Sequence, residues 1–232
     1  MRSPTIAPLA DAPALRDNKE ASARKALFWD RAARKYAADP IADLAGYENT
    51  LRRVESLLSL QDDVLEIGCG TGSTALRLAP FVRSLQATDV STGMIAIARE
   101  KLAVQPRPQL HFSVADVDAP WFGQSAFDVA LAFNVLHLLS DLDHALAQVV
   151  KALRPGGLFI SKTACIAEMN PLIPYVALPL MRAIGKAPHV LCFKGDWLQS
   201  AIARQGMEIV SVERHGTRRK DMRVFIVARK PV

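Results

Sequence analysis

One stretch limits the fold more than any other: Val64-Leu65-Glu66-Ile67-Gly68-Cys69-Gly70-Thr71-Gly72-Ser73. An apolar run of strand-forming residues meets three alternate glycines and then helix-forming sequence. Residues without Cβ let the backbone touch a ligand, and the helix that follows starts with unpaired amides. A glycine loop alone often serves only as a tight turn. Here the next strand ends in Asp89, 21 residues after Gly68, where a carboxylate can bind a ribose diol. That pairing turns a turn into a nucleoside site.

The remaining sequence supplies the sheet around this loop. Strands are expected at 64–67, 84–89, 110–116, 127–135, 157–163, 207–214 and 222–229, and helices at 73–82, 92–103, 141–153, 172–185 and 195–205. Ser91 and Asp141 stand where caps belong, and Arg154-Pro155-Gly156-Gly157 stops the fourth connection and turns into a strand. Helical crossovers imply parallel strands, whereas the last two strands are joined by only seven residues and must run antiparallel. The expected fold is α/β: a Rossmann-like, seven-stranded, mostly parallel sheet with an antiparallel last strand and helices on both faces. Residues 1–16 are expected to be disordered, 17–60 to form a helical preface, and 61–232 the main domain. In the preface, Leu51, Val54, Leu57 and Leu58 turn inward.

Which nucleoside the loop takes is narrowed by two residues. A dinucleotide fingerprint wants glycine or alanine at position 73, where Ser73 stands. Glu66, immediately before the loop, would repel a pyrophosphate but can engage an ammonium group. S-adenosylmethionine (SAM) has a ribose diol, an ammonium and no phosphate. At these residues the chain resembles the class I SAM-dependent methyltransferases, in particular the small-molecule branch that includes ubiquinone and menaquinone methyltransferases. The resemblance rests on Glu66 to Gly72, Asp89, Asp116-Val117, Phe133 to His137 and Leu153 to Gly157, in the family's order and spacing.

The resemblance implies a role for each matched position. Gly68, Cys69, Gly70 and Gly72 pass under the methionine part, Asp89 holds the ribose hydroxyls, and Val90 and Met94 lie against the adenine. Asp116 accepts from the adenine amino group, Val117 offers its amide, and Asn134 presents its carbonyl to the ammonium. Tyr36 closes over the methionine end. Three have a plainer alternative: Asp116 capping a turn, Met94 as core, and Tyr36, with Phe28 and Trp29, packing the preface helix onto the sheet.

Methyl transfer from a sulfonium needs alignment above all, and a base only where the nucleophile carries a proton. His137, three residues past Asn134, is the candidate base, against the alternative that it fills space; His189 is the second candidate. The resemblance implies that residues 165–193 cover the acceptor; because this segment is apolar and proline-rich, the acceptor would be small and largely apolar or aromatic, methylated on oxygen or nitrogen. The alternatives are an RNA methyltransferase and a non-catalytic SAM-binding subunit. Nucleic acid is the lesser choice because the +6 net charge sits at the ends: residues 1–35 carry +4 and 213–232 carry +5, leaving −3 for the rest. Three scattered cysteines give neither a disulfide framework nor a metal knuckle, so no metal is expected and a reducing, cytoplasmic setting is. No signal peptide or spanning segment is read, and the oligomeric state is open between monomer and homodimer.

Overall fold

The computed structural model describes residues 13–117, 123–170, 172–183, 187–188, 190–217 and 221–232. Its centre is a seven-stranded sheet of β1 (Asp63–Ile67), β2 (Ser84–Asp89), β3 (Leu110–Val114), β4 (Phe127–Phe133), β5 (Leu153–Ala164), β6 (Glu208–Glu213) and β7 (Arg223–Arg229), ordered β3-β2-β1-β4-β5-β7-β6. The pairs from β3 to β5 are parallel, and β7 runs antiparallel to both neighbours. This is the expected sheet. Because the order turns outward on either side of β1 and β4, their carboxyl ends open a crevice, the usual ligand position in such sheets.

Two helices precede the sheet, α1 (Pro13–Ala38) and α2 (Leu44–Glu55); α3 (Ser73–Leu78) and α4 (Thr92–Val104) connect the early strands, and α5 (Leu142–Ala152), α6 (Leu178–Ala183) and α7 (Gly195–Arg204) the later ones. The helices cover both faces. Leu51 and Val54 of α2, Leu78 of α3 and Ile95 of α4 share one core with β1 and β2, and Leu146 of α5 and Ile202 of α7 share the other with β4 and β7. Asp43, Ser91 and Asp141 cap α2, α4 and α5, each accepting from an amide three residues on. Leu51 and Val54 are fully buried, as the preface pattern predicts.

The differences from the sequence reading are local. α1 begins at Pro13, inside the segment expected to be disordered. β3 ends at Val114 and β4 at Phe133, each two residues early. At β4 the reason is that Asn134 takes a left-handed backbone, φ 54°, that a strand cannot continue. The Arg154–Gly157 turn lies within β5: pairing with β4 jumps from Phe127↔Leu153 to Val129↔Leu158, and Gly156 sits at φ 78°. The helix expected over 172–185 is a π-helical turn, Ile173–Ala177, running into the six-residue α6. Pro179 has no N–H to continue the α ladder, and a π turn is one way a helix absorbs such a gap.

Candidate functional site

The glycine loop leaves β1 with positive φ at Gly68, Gly70 and Gly72. Two of these are packing requirements: a Cβ on Gly68 would collide with the Val135 side chain, and one on Gly72 would lie 2.5 Å from Phe112. Gly70 is different. A Cβ there would meet nothing nearer than the Tyr36 ring at 3.9 Å, so its open face looks into a cavity. The cavity holds about 730 Å³ at the carboxyl end of the sheet, within the range for a drug-sized ligand. Every residue assigned to the cofactor from the sequence lines it except Gly72, which lies under the loop. Met94 lines the cavity and is also core, 2% exposed among Ala33, Ile97 and Trp29.

Hydrogen bonds brace the loop from below. Cys69 N–H donates to Thr88 O at 2.9 Å, Gly70 N–H to Asp89 Oδ2 at 2.9 Å, and Ser91 N–H to Asp89 Oδ1 at 2.9 Å. Asp89 thus ties the glycine loop to the start of α4, and burial raises its carboxyl despite those bonds. Asn134 at its turn donates its amide to Lys162 O at 2.7 Å, so the ends of β4 and β5 are locked together. Cys69 is buried and its thiol is pushed well up by burial, which makes it inert packing.

Glu66 is the anomaly of the site. It is 2% exposed, lines the cavity, and its Oε2 has no partner. Burial first, then the charge of Asp89, push its carboxyl up to about 8. A buried carboxyl with an idle oxygen costs stability unless a ligand cation meets it.

Asp116 is already engaged. The Ser22 hydroxyl of α1 donates to its Oδ2 and Lys25 Nζ lies 3.4 Å from Oδ1. Asp30, on the same helix, accepts from Ser91 Oγ at 2.6 Å and Gly93 N at 2.8 Å, pinning α1 over α4. Trp29 and Tyr36, ring centroids 6.2 Å apart, line the cavity from that helix. The preface is therefore a wall of the site.

The two histidine candidates fare differently from the cofactor residues. His137 is not among the residues lining the cavity; its Nδ1 is buried without a partner, and burial, with Arg223 nearby, pushes its imidazole down to about 4. His189 lies outside the described residues. Nor do the described residues of 165–193 line the cavity, contrary to the expected cover. The segment is drawn away because Glu168 accepts from Gly195 N at 2.7 Å and pairs with Arg214 at 2.9 Å, fastening it to α7 and to the end of β6. The far half of the cavity is walled instead by residues 37–43 and α2, with Tyr47, Thr50, Lys162 and Arg223. Sequence reasoning missed Lys162. The available signal was a lysine inside the apolar strand Leu158-Phe159-Ile160-Ser161-Lys162-Thr163.

Residues 64–157 match a family model described as a methyltransferase domain. Over that segment the chain is similar to methyltransferase domains. An O-methyltransferase of Penicillium expansum, cnsE, is 27% identical over 189 residues, 80% of this chain and 65% of that one. The demethylmenaquinone methyltransferase of Leptospira interrogans is 31% identical over 131 residues, 55% of this chain and 52% of the relative. The chain thus spans less than two thirds of the length of these relatives. Among solved structures, a SAM-dependent methyltransferase of Thermotoga maritima superposes with a TM-score of 0.67 over 88% of this chain and 99% of its own, at 19% identity, a likeness of fold. The matched methyltransferase segment contains the glycine loop, Asp89, Asp116 and Asn134. Tyr36, Tyr47, Thr50, Lys162 and Arg223 lie outside it. Part of the cavity wall is therefore built by parts of the chain beyond the shared methyltransferase segment. No helix among the described residues is long and apolar enough to cross a membrane.

Proposed function

We propose that this chain transfers a methyl group from SAM to an oxygen of a small, largely apolar or aromatic acceptor, releasing S-adenosylhomocysteine. The observation that carries the reading is one cavity that joins the open face of Gly70, the idle carboxyl of Glu66 and Asp89 to a lining of apolar side chains with Thr50 and Lys162 among them. The residues present fit SAM. Gly68 to Gly70 would cradle the methionine chain, Glu66 and the Asn134 carbonyl would meet its ammonium, Asp89 would take the ribose, and Val90, Met94, Asp116 and Val117 would hold the adenine. When bound, SAM supplies an activated methyl on sulfur. The chain's own part is to align the acceptor and exclude water, which can account for much of the rate of such a displacement. Phe133, Leu138, Leu139 and Ile41 give the acceptor end its apolar surface. The O-methyltransferase and demethylmenaquinone methyltransferase relatives support oxygen or quinol-type acceptors over RNA. Cys69, Cys165 and Cys192 are all free thiols, which favours a cytoplasmic setting.

Calorimetry with SAM, followed by methyl transfer to a panel of phenols, quinols and amines with tRNA as the competing acceptor, tests this. SAM binding with turnover of a phenol or quinol is expected. Transfer to tRNA alone would make the protein an RNA methyltransferase, and binding without transfer to any of them a SAM-binding subunit.

A further inference from the structure

Lys162 enters the cavity from β5, beside the turn that Asn134 makes at the end of β4. It is 8% exposed, unusual for a lysine. Its Nζ donates to Thr50 Oγ1 of α2 at 2.7 Å. The Thr50 hydroxyl donates onward to Gly46 O at 2.8 Å and also lies 3.2 Å from His215 Nδ1; His215 Nε2 is 2.9 Å from Glu213 Oε2. A polar file therefore runs from the cavity through Thr50 and His215 to Glu213. An ammonium has three protons to donate, and one hydroxyl oxygen is a poor set of partners for it in a buried place. A neutral amine suits the same place better, donating one proton to Thr50 and turning its lone pair to the cavity.

Resting on the methyltransferase reading above, we propose that Lys162 is the general base of this site and that the acceptor bears a weakly acidic hydroxyl, phenolic or enolic. As the acceptor oxygen forms its bond to the methyl carbon and the carbon–sulfur bond breaks, the hydroxyl proton passes to Lys162 Nζ, leaving a neutral ether, a neutral thioether and an ammonium. The charge lost from the sulfonium reappears on the lysine. The groups facing Nζ set its proton affinity: burial lowers it, Asp221 and Asp43 raise it, and Arg223 lowers it, with His215 one hydroxyl away. Burial is the largest of these. Lysine gives up its proton more readily when it is desolvated.

The test uses the full chain in three measurements. Trace labelling with acetic anhydride across an alkaline pH series, read by mass spectrometry, should show Lys162 becoming reactive at lower pH than exposed Lys151. Reaction in step with Lys151 would overturn the proposal. Calorimetric SAM affinity should be the same within about twofold in Lys162→Arg and Lys162→Met, which also shows that both variants fold. Turnover should then be followed on para-substituted phenols of graded acidity. Both variants should lose about 10²–10⁴-fold on weakly acidic phenols, the usual worth of a positioned base, and little on 4-nitrophenol, which is already ionised. The wild-type pH profile on weak phenols should rise with the titration seen by labelling, and that rise should vanish in both variants. Retained turnover in Lys162→Arg would overturn the proposal, because arginine keeps the charge and cannot act as base. SAM binding without turnover of any phenol would also overturn it, while leaving the donor half of the reading intact. Failure of the wild type to bind SAM would instead remove the reading on which it rests.

Discussion

Asp89 uses both carboxylate oxygens on its own backbone, yet each oxygen keeps a second acceptor position for a ribose hydroxyl. The residue is a brace that still has room to serve as a ligand group. Losing a charge-assisted pair of hydrogen bonds costs on the order of 2–3 kcal/mol, so Asp89→Ala should weaken SAM binding about 30–100-fold by calorimetry. An unchanged affinity in a folded variant would remove Asp89 from the site. His137 gives the opposite expectation. An imidazole pushed down to about 4, away from the cavity lining, stays neutral through the physiological range and has no acceptor to serve. His137→Gln should keep turnover within a few-fold, with an unchanged pH profile; a loss of 10²-fold or more would return it to the mechanism. At this scale the cofactor candidates were legible because most sit at strand ends and loops with fixed spacing, and all but Gly72 line one cavity. Lys162 stayed hidden for the converse reason. Its meaning depends on Thr50, 112 residues earlier, and no local pattern records that contact.

α1 is held on α4 by the packing of Ala33 and Trp29 against Met94 and Ile97 and by a few polar contacts, not by the sheet. Asp30 is the firmest: burial works against its charge, but bonds from Ser91, Gly93 and Thr92 prevail and hold it below the usual carboxylate range. Replacing Asp30 with Ala removes the partner of Ser91 and Gly93 together. α1 should then exchange its amide hydrogens faster while the sheet keeps its protection, and SAM affinity should fall several-fold as Trp29 and Tyr36 lose their places. Equal exchange in α1 with and without Asp30 would show that apolar contacts alone hold the helix. S-adenosylhomocysteine should protect α1 in the wild type. The helix was legible in the sequence by its periodicity, and α2 by Leu51 and Val54, but their placement was not. Ser22 and Asp116 lie 94 residues apart, and a preface read as cover for a sheet does not announce that it supplies a cavity wall. The 165–193 segment misled for a related reason: apolar, proline-rich sequence says that a segment needs cover, and only the Glu168 contacts to Gly195 and Arg214 say where it goes.

Across the whole molecule the titrating groups divide between the two ends of the sheet, and this sets how stability responds to pH. At the end opposite the cavity, Asp63 is held well below the usual carboxylate range by Arg83, with Ser84 and Arg154 adding to it. Arg154 also reaches Asp128, so one guanidinium joins β1 to β4. At the end of the edge strand β6, Glu213 is brought down to about 2: burial opposes this, but Arg53, His215 and Ser211 outweigh it. Carboxyls lowered by folding stabilise the fold above their unfolded values, and that contribution is lost as pH falls through the usual carboxylate range and below. Glu66 has the opposite sign. Folding raises it to about 8, so the unfolded chain releases this proton first, and stability falls as pH climbs from the ordinary glutamate range to about 8. The ligand-free protein should therefore melt highest in mildly acid buffer, with an acid limb from Asp63 and Glu213 and an alkaline limb from Glu66. S-adenosylhomocysteine should change only the second limb, since an ammonium beside Glu66 favours its ionised form; the ligand's rise in Tm should grow with pH and level off above about 8. Binding below that pH should release a proton, visible as a dependence of the calorimetric heat on the buffer's ionisation enthalpy. A tenfold change in a carboxyl's proton affinity corresponds to about 1.4 kcal/mol, so relief of even part of the Glu66 penalty is worth several degrees in Tm for a domain of this size. Glu66→Gln should flatten the alkaline limb of the ligand-free protein and abolish the proton release, leaving the acid limb unchanged. An alkaline limb that persists in that variant would move the penalty from Glu66 to Asp89, the other carboxyl that folding raises in the cavity.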